Sequence, residues 1–434
     1  MPERTIFRGI RLVDPASGHD GLTDVLVEDE GVSAVGDAVV APAGTEVVDA
    51  GGLVMAPGLV DLHAHLREPG FEHKETVETG SRAAAAGGYT AICAMPNTEP
   101  VTDNLAVIAE VRNLADKAGL CDVHPAGAIT RNLEGSSLTD IGEMAQAGVR
   151  LFTDDHRCVQ SSRVMRLALE YAKAFDVVIA QHAQDDGLTE GWQMHEGYYS
   201  ALLGLTGAPA EAEEVIVARD VALARLTGGR LHITHVSAAG TVDLMQQARG
   251  RGLRVSSDVT PHHLTLCDQD LVRYDTNLRV NPPLRSEEHR DALRKGLVGG
   301  TLDAIATDHA PHALEDKEQE FDQAPPGTTG LETALAVILT ELVEPGLLDL
   351  LRAIELLSSR PARILRLEEH GGPILPGHAA NLTVFDPGAE WIVGERPFAS
   401  MAVNSAFRGR RLKGRVLHTM LRGRFTVRDG EPVW

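Results

Sequence analysis

The sequence predicts a (β/α)8 barrel (an α/β fold) beside a small β-sandwich that is built from both ends of the chain. Between residues 56 and 374, apolar segments typical of buried strands alternate with helical segments, which is the pattern of parallel βαβ units. A barrel of this kind takes about 250 residues, so a chain of 434 residues has room for one barrel and an appendage. In residues 1–55 and 375–434 the pattern predicts short strands separated by Gly, Pro and Asp. Because each terminal piece is too small for its own core, we expect the two to pair.

Eight strand segments follow one another in the predicted barrel, as a closed barrel requires. They cover residues 53–66, 88–97, 122–130, 148–155, 176–183, 230–237, 254–263 and 302–312. Helical segments between them cover residues 75–87, 104–119, 162–175, 211–228 and 239–252. The connection over residues 310–330 is long and contains the stretches ALEDKEQE and QAPPGTTG. Long connections at the top of a barrel usually carry function.

The composition argues against several classes of function. The formal net charge is −22 and the chain has no basic block, so nucleic acid is not an expected partner. The same charge repels anions, and an anionic substrate would need cations placed locally. The first residues lack the apolar core of a signal peptide, and no stretch is long and apolar enough to span a membrane. The cysteines form no CxxC pair and read as free thiols of a reducing compartment. We therefore expect a cytoplasmic protein.

Side chains that bind metals end almost every predicted barrel strand. Because the carboxyl ends of all the strands meet at one rim, these side chains are expected to gather there. Alternate residues of the first strand share a face, which places Asp61, His63 and His65 together and continues to Arg67 beyond the strand. Core packing alone would not require the full set, which comprises His63, His65, Asn97, Asp154, Asp155, His182, His235, His262, His263, Asp308, His309 and His312.

The number of donors predicts a site for two metal ions, since one catalytic zinc ion takes fewer ligands from a protein. Asp155 is placed as the carboxylate that bridges the ions. Two ions about 3.5–4 Å apart can hold a bridging hydroxide, which is a nucleophile at neutral pH. Imidazole and carboxylate ligands favour zinc, with manganese or cobalt as alternatives, and a single-metal site is the simpler interpretation. In the two-metal arrangement one ion takes His63, His65 and Asp308, and the other takes His182 and His235.

Nine short motifs point to one enzyme family. They are DLHAHLREPG (61–70), AMPNTEP (94–100), FTDD (152–155), QHAQ (181–184), THVS (234–237), TPHH (260–263), NPPLR (281–285), ATDHAPH (306–312) and PPGTTGLET (325–333). With them the chain resembles a class I dihydroorotase of the amidohydrolase superfamily over nearly its whole length. The resemblance implies reversible cyclisation of N-carbamoyl-L-aspartate to L-dihydroorotate and water, in pyrimidine biosynthesis. It also implies two Zn²⁺ ions per subunit, bridged by Asp155 and a hydroxide.

The residues make chemical sense for that reaction. Asp308 can bind metal with one oxygen, take the proton of the attacking hydroxide with the other and pass it to the leaving nitrogen. We therefore expect Asp308 to be the general acid and base, with ligation alone as its alternative role. Arg67 offers a planar fork of donors that suits the ring carboxylate, with surface ion pairing as the alternative.

Further substrate contacts follow from the resemblance. Asn97 and His312 would complete the carboxylate pocket, and Asn281 resembles a substrate contact of the family. Pro326 and Gly327 resemble a loop that offers backbone groups to the ring. A plain turn role is the alternative for Asn97, for Asn281 and for this loop. The predicted substrate-binding set is therefore His65, Arg67, Asn97, Asn281, His312, Pro326 and Gly327.

Two positions depart from the family pattern. His156 stands where the family usually has glycine, which bears on a turn with unusual backbone angles or adds an imidazole near the site. Gln184 replaces a carboxylate that could have oriented a ligand. His262 and His263 are expected to orient their strand or to support the ligands from outside. His309 should face away from Asp308 by strand parity.

Three other functions are alternatives to this one. Hydantoinases, dihydropyrimidinases and allantoinases open related cyclic amides, but they bridge their metals with a carboxylated lysine. Asp155 stands at that position here, and the nearest downstream lysine is Lys173, inside a predicted helix. Some dihydroorotase-like chains only scaffold aspartate transcarbamoylase and have lost metal ligands, whereas this chain keeps all six. A single-metal deaminase is disfavoured by Asp155. We expect a homodimer, and an active enzyme is compatible with association with aspartate transcarbamoylase.

Overall fold

The computed structural model describes residues 4–434 and begins with five strands of one sheet. These strands are β1 (Arg4–Asp14), β2 (His19–Glu28), β3 (Gly31–Gly36), β4 (Glu46–Asp49) and β5 (Val54–Pro57). β1 pairs antiparallel with β2 and parallel with β4 and β5. The single strand predicted over residues 53–66 is therefore wrong, because its first part, β5, belongs to this terminal sheet. Gly58 separates the two parts, and a Cβ at Gly58 would overlap the side chain of Thr90.

Eight parallel strands form the barrel that follows. In chain order the next strands are β6 (Leu59–Ala64), β7 (Tyr89–Ala94), β8 (Asp122–Pro125), β9 (Leu151–Phe152), β10 (Val178–Gln181), the short pair β11 (Met194–His195) and β12 (Gly207–Ala208), then β13 (Arg230–Ile233), β14 (Val255–Val259) and β15 (Ala304–Ile305). β6, β7 and β8 pair in parallel, as do β9, β10, β13, β14 and β15. Parallel bridges from Gly127 to Phe152 and from Ala64 to His309 join the two groups, so the barrel is closed. β11 and β12 pair outside it.

Helices connect the barrel strands. They are α1 (Val77–Ala86), α2 (Leu105–Ala118), α3 (Ile141–Gln146), α4 (Ser162–Lys173), α5 (Tyr198–Leu203), α6 (Glu211–Thr227), α7 (Ala239–Gly250), α8 (Pro261–Thr265), α9 (Glu287–Val298), α10 (Leu314–Lys317), α11 (Ala334–Ile338), α12 (Leu350–Ile354) and α13 (Arg360–Leu365). The five helices predicted from the sequence correspond to α1, α2, α4, α6 and α7, with bounds within two residues. Local signals explain this accuracy: Asn104 caps the start of α2 through its side chain, and Gly119 ends it in the left-handed conformation.

The chain returns to the terminal sheet with β16 (Leu382–Ile392), β17 (Arg411–Leu421), β18 (Arg424–Arg428) and β19 (Glu431–Pro432). β16 pairs antiparallel with β5, which joins the two ends of the chain in one nine-stranded sheet. Phe7 of β1 and Phe425 of β18 lie four strand positions apart, about 19 Å in a flat sheet. Their ring centroids are 6.4 Å apart, so the sheet folds over a shared apolar core. The predicted fold class, a barrel with a sandwich built from both ends, is confirmed.

Asp61 fixes the seam between the last and the first barrel strand. Its carboxylate is fully buried and accepts hydrogen bonds from Thr307 N at 2.8 Å and Thr307 Oγ1 at 2.5 Å. Thr307 directly precedes Asp308, a predicted ligand. Asp61 therefore has a structural role, although strand parity grouped it with the two histidines.

We expect Asp61→Ala to lower the free energy of unfolding by about 2–4 kcal/mol, because it leaves the buried N–H of Thr307 without an acceptor and removes the shorter bond of its hydroxyl. Urea denaturation measures this loss. The control Asp20→Ala removes an exposed carboxylate paired with Arg11 and should cost at most about 1 kcal/mol. Equal losses in both variants would contradict the seam role.

Candidate active site

A cavity of about 430 Å³ opens at the carboxyl ends of the barrel strands. Eleven of its lining residues are predicted site residues, two more are the departures His156 and Gln184, and His63 lies fully buried beside the cavity. The lining residues are His65, Arg67, Asn97, Asp155, His156, His182, Gln184, Trp192, His235, Arg279, Asn281, Asp308, Ala310, His312, Pro325, Pro326 and Gly327. The tertiary structure thus brings the end of the first strand and the ends of five others to one place.

One cluster of donors gathers around the first barrel strand. His63 Nε2 lies 3.3 Å from Asp155 Oδ1, and His65 Nε2 lies 3.4 Å from Asp155 Oδ2. Both imidazole nitrogens are 3.5 Å from Asp308 Oδ1. Three of these residues, His63, His65 and Asp155, offer ligand atoms that all lie within 4.8 Å of one another. A divalent cation fits among them.

A second cluster shares Asp155 with the first. His182 Nδ1 and His235 Nε2 lie 3.0 Å apart, and they are 4.0 Å and 3.7 Å from Asp155 Oδ1. These three residues again meet the distance condition for a common metal ion. The arrangement therefore has two donor groups with one carboxylate between them.

The electrostatics of both clusters favour a bound cation. Burial alone would lower the pKa of His63, yet the carboxylates of Asp155 and Asp308 outweigh it and raise that pKa to about 10. Burial opposes ionisation of Asp155 as well, but His63 and the other imidazoles hold the pKa of its carboxyl well below the usual range. The pKa of His182 falls to about 3 because its ring is buried beside His235, so this imidazole is neutral and its lone pair is available.

Unpartnered nitrogens support the same interpretation. Within residues 4–434, neither ring nitrogen of His63 nor Nδ1 of His235 has a hydrogen-bond partner, and these atoms are buried. Buried polar atoms without partners are uncommon in folded proteins. Imidazole nitrogens that converge with carboxylates and make few competing hydrogen bonds are the donor set of a metal centre, and the chain holds a metal site here.

The backbone is strained where the ligands leave their strands. His235 and Asp308 have φ angles of 37° and 48°, in the left-handed region that side-chain-bearing residues rarely adopt. Arg67 has φ 63° and His156 has φ 58°. The positive φ of His156 explains why glycine suits this position. The chain adopts the same turn with histidine, whose imidazole lies at the cavity wall. Such local strain is typical of functional sites.

Three predicted substrate contacts lie on one side of the cavity. Arg67 Nε donates to Pro311 O at 3.1 Å, and burial lowers the pKa of its guanidinium to about 10. Asn97 Oδ1 lies 2.9 Å from His65 Nδ1, so Asn97 orients a predicted ligand. His312 Nε2 is 3.0 Å from Pro326 O. Arg67 remains charged, and it places a buried cation on the wall of the cavity of an acidic protein.

The remaining predicted contacts are Asn281, Pro326 and Gly327, which also line the cavity, with Pro326 next to His312. Asn281 Nδ2 is 3.3 Å from His182 Nε2, whereas its buried Oδ1 makes no hydrogen bond within the described residues. Gly327 N donates to Arg279 O at 2.8 Å, and Gly327 O accepts from Asn404 at 3.1 Å. Hydrogen bonds within the protein thus fix the backbone of the 325–327 turn. Asn281 Oδ1, in contrast, is an acceptor without a partner among the described residues.

Some residues outside the cavity behave as expected, and others inside it were missed. His309 faces Glu75, with 3.3 Å between Nε2 and Oε2, and His263 Nε2 lies 2.9 Å from Pro282 O. Asp154 accepts from Thr130 N at 2.9 Å and lies outside the lining. Sequence reasoning missed four wall residues, of which Ala310 and Pro325 had a signal because they lie within the motifs ATDHAPH and PPGTTGLET. The four are Trp192, Arg279, Ala310 and Pro325.

Comparison with known proteins agrees with this geometry. Residues 52–240 match the family model described as dihydro-orotase-like. The dihydroorotase of Streptomyces coelicolor is 49% identical over 430 residues, with 99% of each chain covered. The chain belongs to the dihydroorotase family. The dihydroorotase of Mycobacterium tuberculosis is 48% identical, with 98% of this chain and 99% of the relative covered. The predicted family membership is confirmed.

Solved structures share the fold over the whole chain. The L-hydantoinase (dihydropyrimidinase) of Arthrobacter aurescens superposes with a TM-score of 0.89 at 28% identity, covering 100% of this chain and 98% of that one. The dihydropyrimidinase of Brevibacillus agri gives a TM-score of 0.84 at 24% identity, covering 99% and 96%. Among residues 4–434, no helix combines the length and apolar character needed to cross a membrane.

We expect His63→Ala to lose bound metal, because the variant removes a ligand atom from the first cluster. Mutation of a residue that only hydrogen-bonds a metal ligand lowers metal affinity about 10- to 100-fold, so loss of the ligand itself should lower it at least as much. Metal per chain, measured by inductively coupled plasma mass spectrometry after gel filtration, tests this. His309→Ala is the matched control, since His309 is equally buried and adjacent to Asp308 but faces Glu75. Full metal content in His63→Ala would exclude His63 as a ligand.

Proposed function

We propose that this protein is a zinc-dependent dihydroorotase, which cyclises N-carbamoyl-L-aspartate to L-dihydroorotate and water, reversibly, in pyrimidine biosynthesis. The observation that carries the proposal is one cavity in which two donor clusters share Asp155 while Arg67 lies on the wall. A cyclic amide that bears a carboxylate needs both features. Its relatives with this name cover nearly the full length of the chain.

Two Zn²⁺ ions per subunit are the proposed cofactors. His63, His65 and Asp308 would hold one ion and His182 and His235 the other, with Asp155 and a hydroxide between them. Asp155 supports this sharing because its Oδ1 faces His63, His182 and His235 while its Oδ2 faces His65. When bound, the ions would polarise the amide carbonyl and lower the pKa of water.

Asp308 is proposed as the general acid and base. Its carboxylate lines the cavity, and His65 and His63 keep its pKa low despite burial, so it is in the ionised form that a general base requires. In ring opening it would take the proton of the nucleophile and deliver it to the leaving nitrogen. In ring closure the same carboxylate would remove the proton from the attacking nitrogen.

The carboxylate of the ring would face Arg67. A guanidinium offers paired donors to a carboxylate, and burial away from solvent strengthens such a pair. Asn97 and His312 would complete this side, with His65 shared between metal and substrate. Asn281 would meet the other side of the ring through its free Oδ1, beside Pro326 and Gly327.

A hydantoinase-type amide hydrolase is the alternative, because structures with that name share the fold. Such enzymes bridge their metals with a carboxylated lysine. In the described chain no lysine lines the cavity. Lys173 donates to Thr227 O at 2.9 Å, at the end of α4. Asp155 and Arg67 therefore favour the dihydroorotase reaction.

The organisation of the molecule is also proposed. Residues 56–374 would form the catalytic domain, and residues 1–55 and 375–434 the sandwich. We propose a cytoplasmic homodimer that acts on small molecules and not on nucleic acid, with association with aspartate transcarbamoylase as a further property to test.

Purified protein loaded with zinc should convert L-dihydroorotate to N-carbamoyl-L-aspartate, seen as a loss of dihydroorotate absorbance, while hydantoin and allantoin stay intact. The reason is that Arg67 selects a substrate carboxylate. Metal analysis should give two zinc ions per active chain. Faster turnover of hydantoin would overturn the assignment, and one zinc ion in fully active protein would overturn the bridged pair.

Asp308→Asn should reduce turnover by about 10²- to 10⁴-fold, because the amide can still contact metal but cannot carry the proton. Steady-state kinetics and metal content, measured on one preparation, separate the two roles. A near-normal rate with normal metal content would exclude Asp308 from proton transfer. A loss of both turnover and bound metal would indicate that Asp308 acts as a ligand alone.

A further inference from the structure

The connection over residues 310–330 carries five cavity residues, and one buried side chain from outside the barrel bonds the backbone of three of them. Asn404 lies between β16 and β17 and is 3% exposed. Its Nδ2 donates to Ala310 O and to Gly327 O, both at 3.1 Å. Its Oδ1 accepts from His312 N at 3.1 Å. One amide thus bonds the backbone of three residues of the cavity wall.

The backbone around Asn404 adds further bonds to the same connection. Asn404 O accepts from Thr329 N and from Thr328 Oγ1, both at 3.0 Å, and Thr328 Oγ1 accepts from Ala406 N at 2.8 Å. Ala310 N donates to Thr328 O at 2.8 Å, which closes the base of the connection. Both ends of the connection are therefore fastened to one short segment of the carboxyl-terminal region.

We propose that Asn404 is a positioning residue for substrate binding, which sets the places of His312 and Gly327 without contacting the substrate. This inference rests on the proposed function. Asn404 is absent from the cavity lining, so it acts through the peptide groups that it bonds. Those groups are buried, and the loss of the amide leaves them unsatisfied and free to shift. The donor clusters are held separately by their own strands.

The position of Asn404 predicts which kinetic constant changes. His312 and the turn at Gly327 belong to the proposed substrate-binding side, whereas Asp308 and Asp155 are fixed elsewhere. Misplacement of binding groups by about 1 Å is worth up to about 100-fold. Asn404→Ala should therefore raise KM for L-dihydroorotate about 10- to 100-fold, with a much smaller fall in kcat and with unchanged zinc content.

Asn381 provides a matched control. It is 4% exposed, donates through Nδ2 to Glu369 O at 2.9 Å and accepts through Oδ1 from Arg422 N at 2.7 Å. Asn381 O also accepts from Gly58 N. It therefore has the same residue type, burial and kind of bonding, but it joins the sandwich to the base of the first barrel strand. Asn381→Ala should lower Tm without a change in KM.

The experiment compares full-length, zinc-loaded Asn404→Ala and Asn381→Ala by Tm, zinc content, kcat, KM and hydrogen–deuterium exchange. Faster exchange in peptides covering residues 310–330 is expected for Asn404→Ala only. Thr328→Val, which keeps the side-chain shape and removes only the hydroxyl bonds, should give a smaller rise in KM and covers the case in which Asn404→Ala does not fold.

Two results would overturn the proposal: an unchanged KM in both Asn404→Ala and Thr328→Val, or equal exchange of residues 310–330 in the two asparagine variants. Failure of the proposed function gives a different result, since the wild-type protein would then not turn over L-dihydroorotate. In that case the exchange comparison alone decides whether Asn404 holds the connection.

Discussion

The site depends on Asp155, a buried carboxylate that four imidazoles approach within 4.0 Å. A charge in this position is costly unless cations or strong donors surround it. The imidazoles hold its pKa low, and unpartnered nitrogens remain around it. Because one carboxylate serves both donor clusters, the ends of strands that are far apart in sequence must meet within a few ångströms. The closed barrel is the architecture that brings them together.

Other buried aspartates make that meeting point rigid. Asp61 bonds Thr307 N across the seam of the barrel, Asp154 bonds Thr130 N, and Asp258 accepts from His235 N at 2.6 Å. Each carboxylate fixes a backbone N–H on a neighbouring strand or its extension. The strained φ angles of His235 and Asp308 persist because bonds of this kind hold the surrounding chain. The outer carboxylates thus fix the backbone around the ligand positions, while Asp155 lies between the two donor clusters.

The terminal sheet is connected to the site by strand pairing and by hydrogen bonds. β5 pairs with β1 and β16 immediately before β6 begins, so the first ligand strand starts from the sheet. Asn404, in the segment after β16, fastens the connection that carries His312 and Gly327. The ends of the chain therefore support the cavity from two directions.

The sequence by itself determined the barrel, the helices with strong caps and periodicity, and the set of residues that reaches the cavity, because strand alternation and carboxyl-end placement are local rules. It also predicted that His309 would face away from Asp308. Only the tertiary structure decided that residues 53–66 divide between two sheets, that Asp61 and Asp154 are structural, and that Trp192 and Arg279 form walls. It alone showed that Asn404 bonds the 310–330 connection. These facts depend on hydrogen bonds and packing between residues up to about 330 positions apart, for which no local pattern exists in the chain.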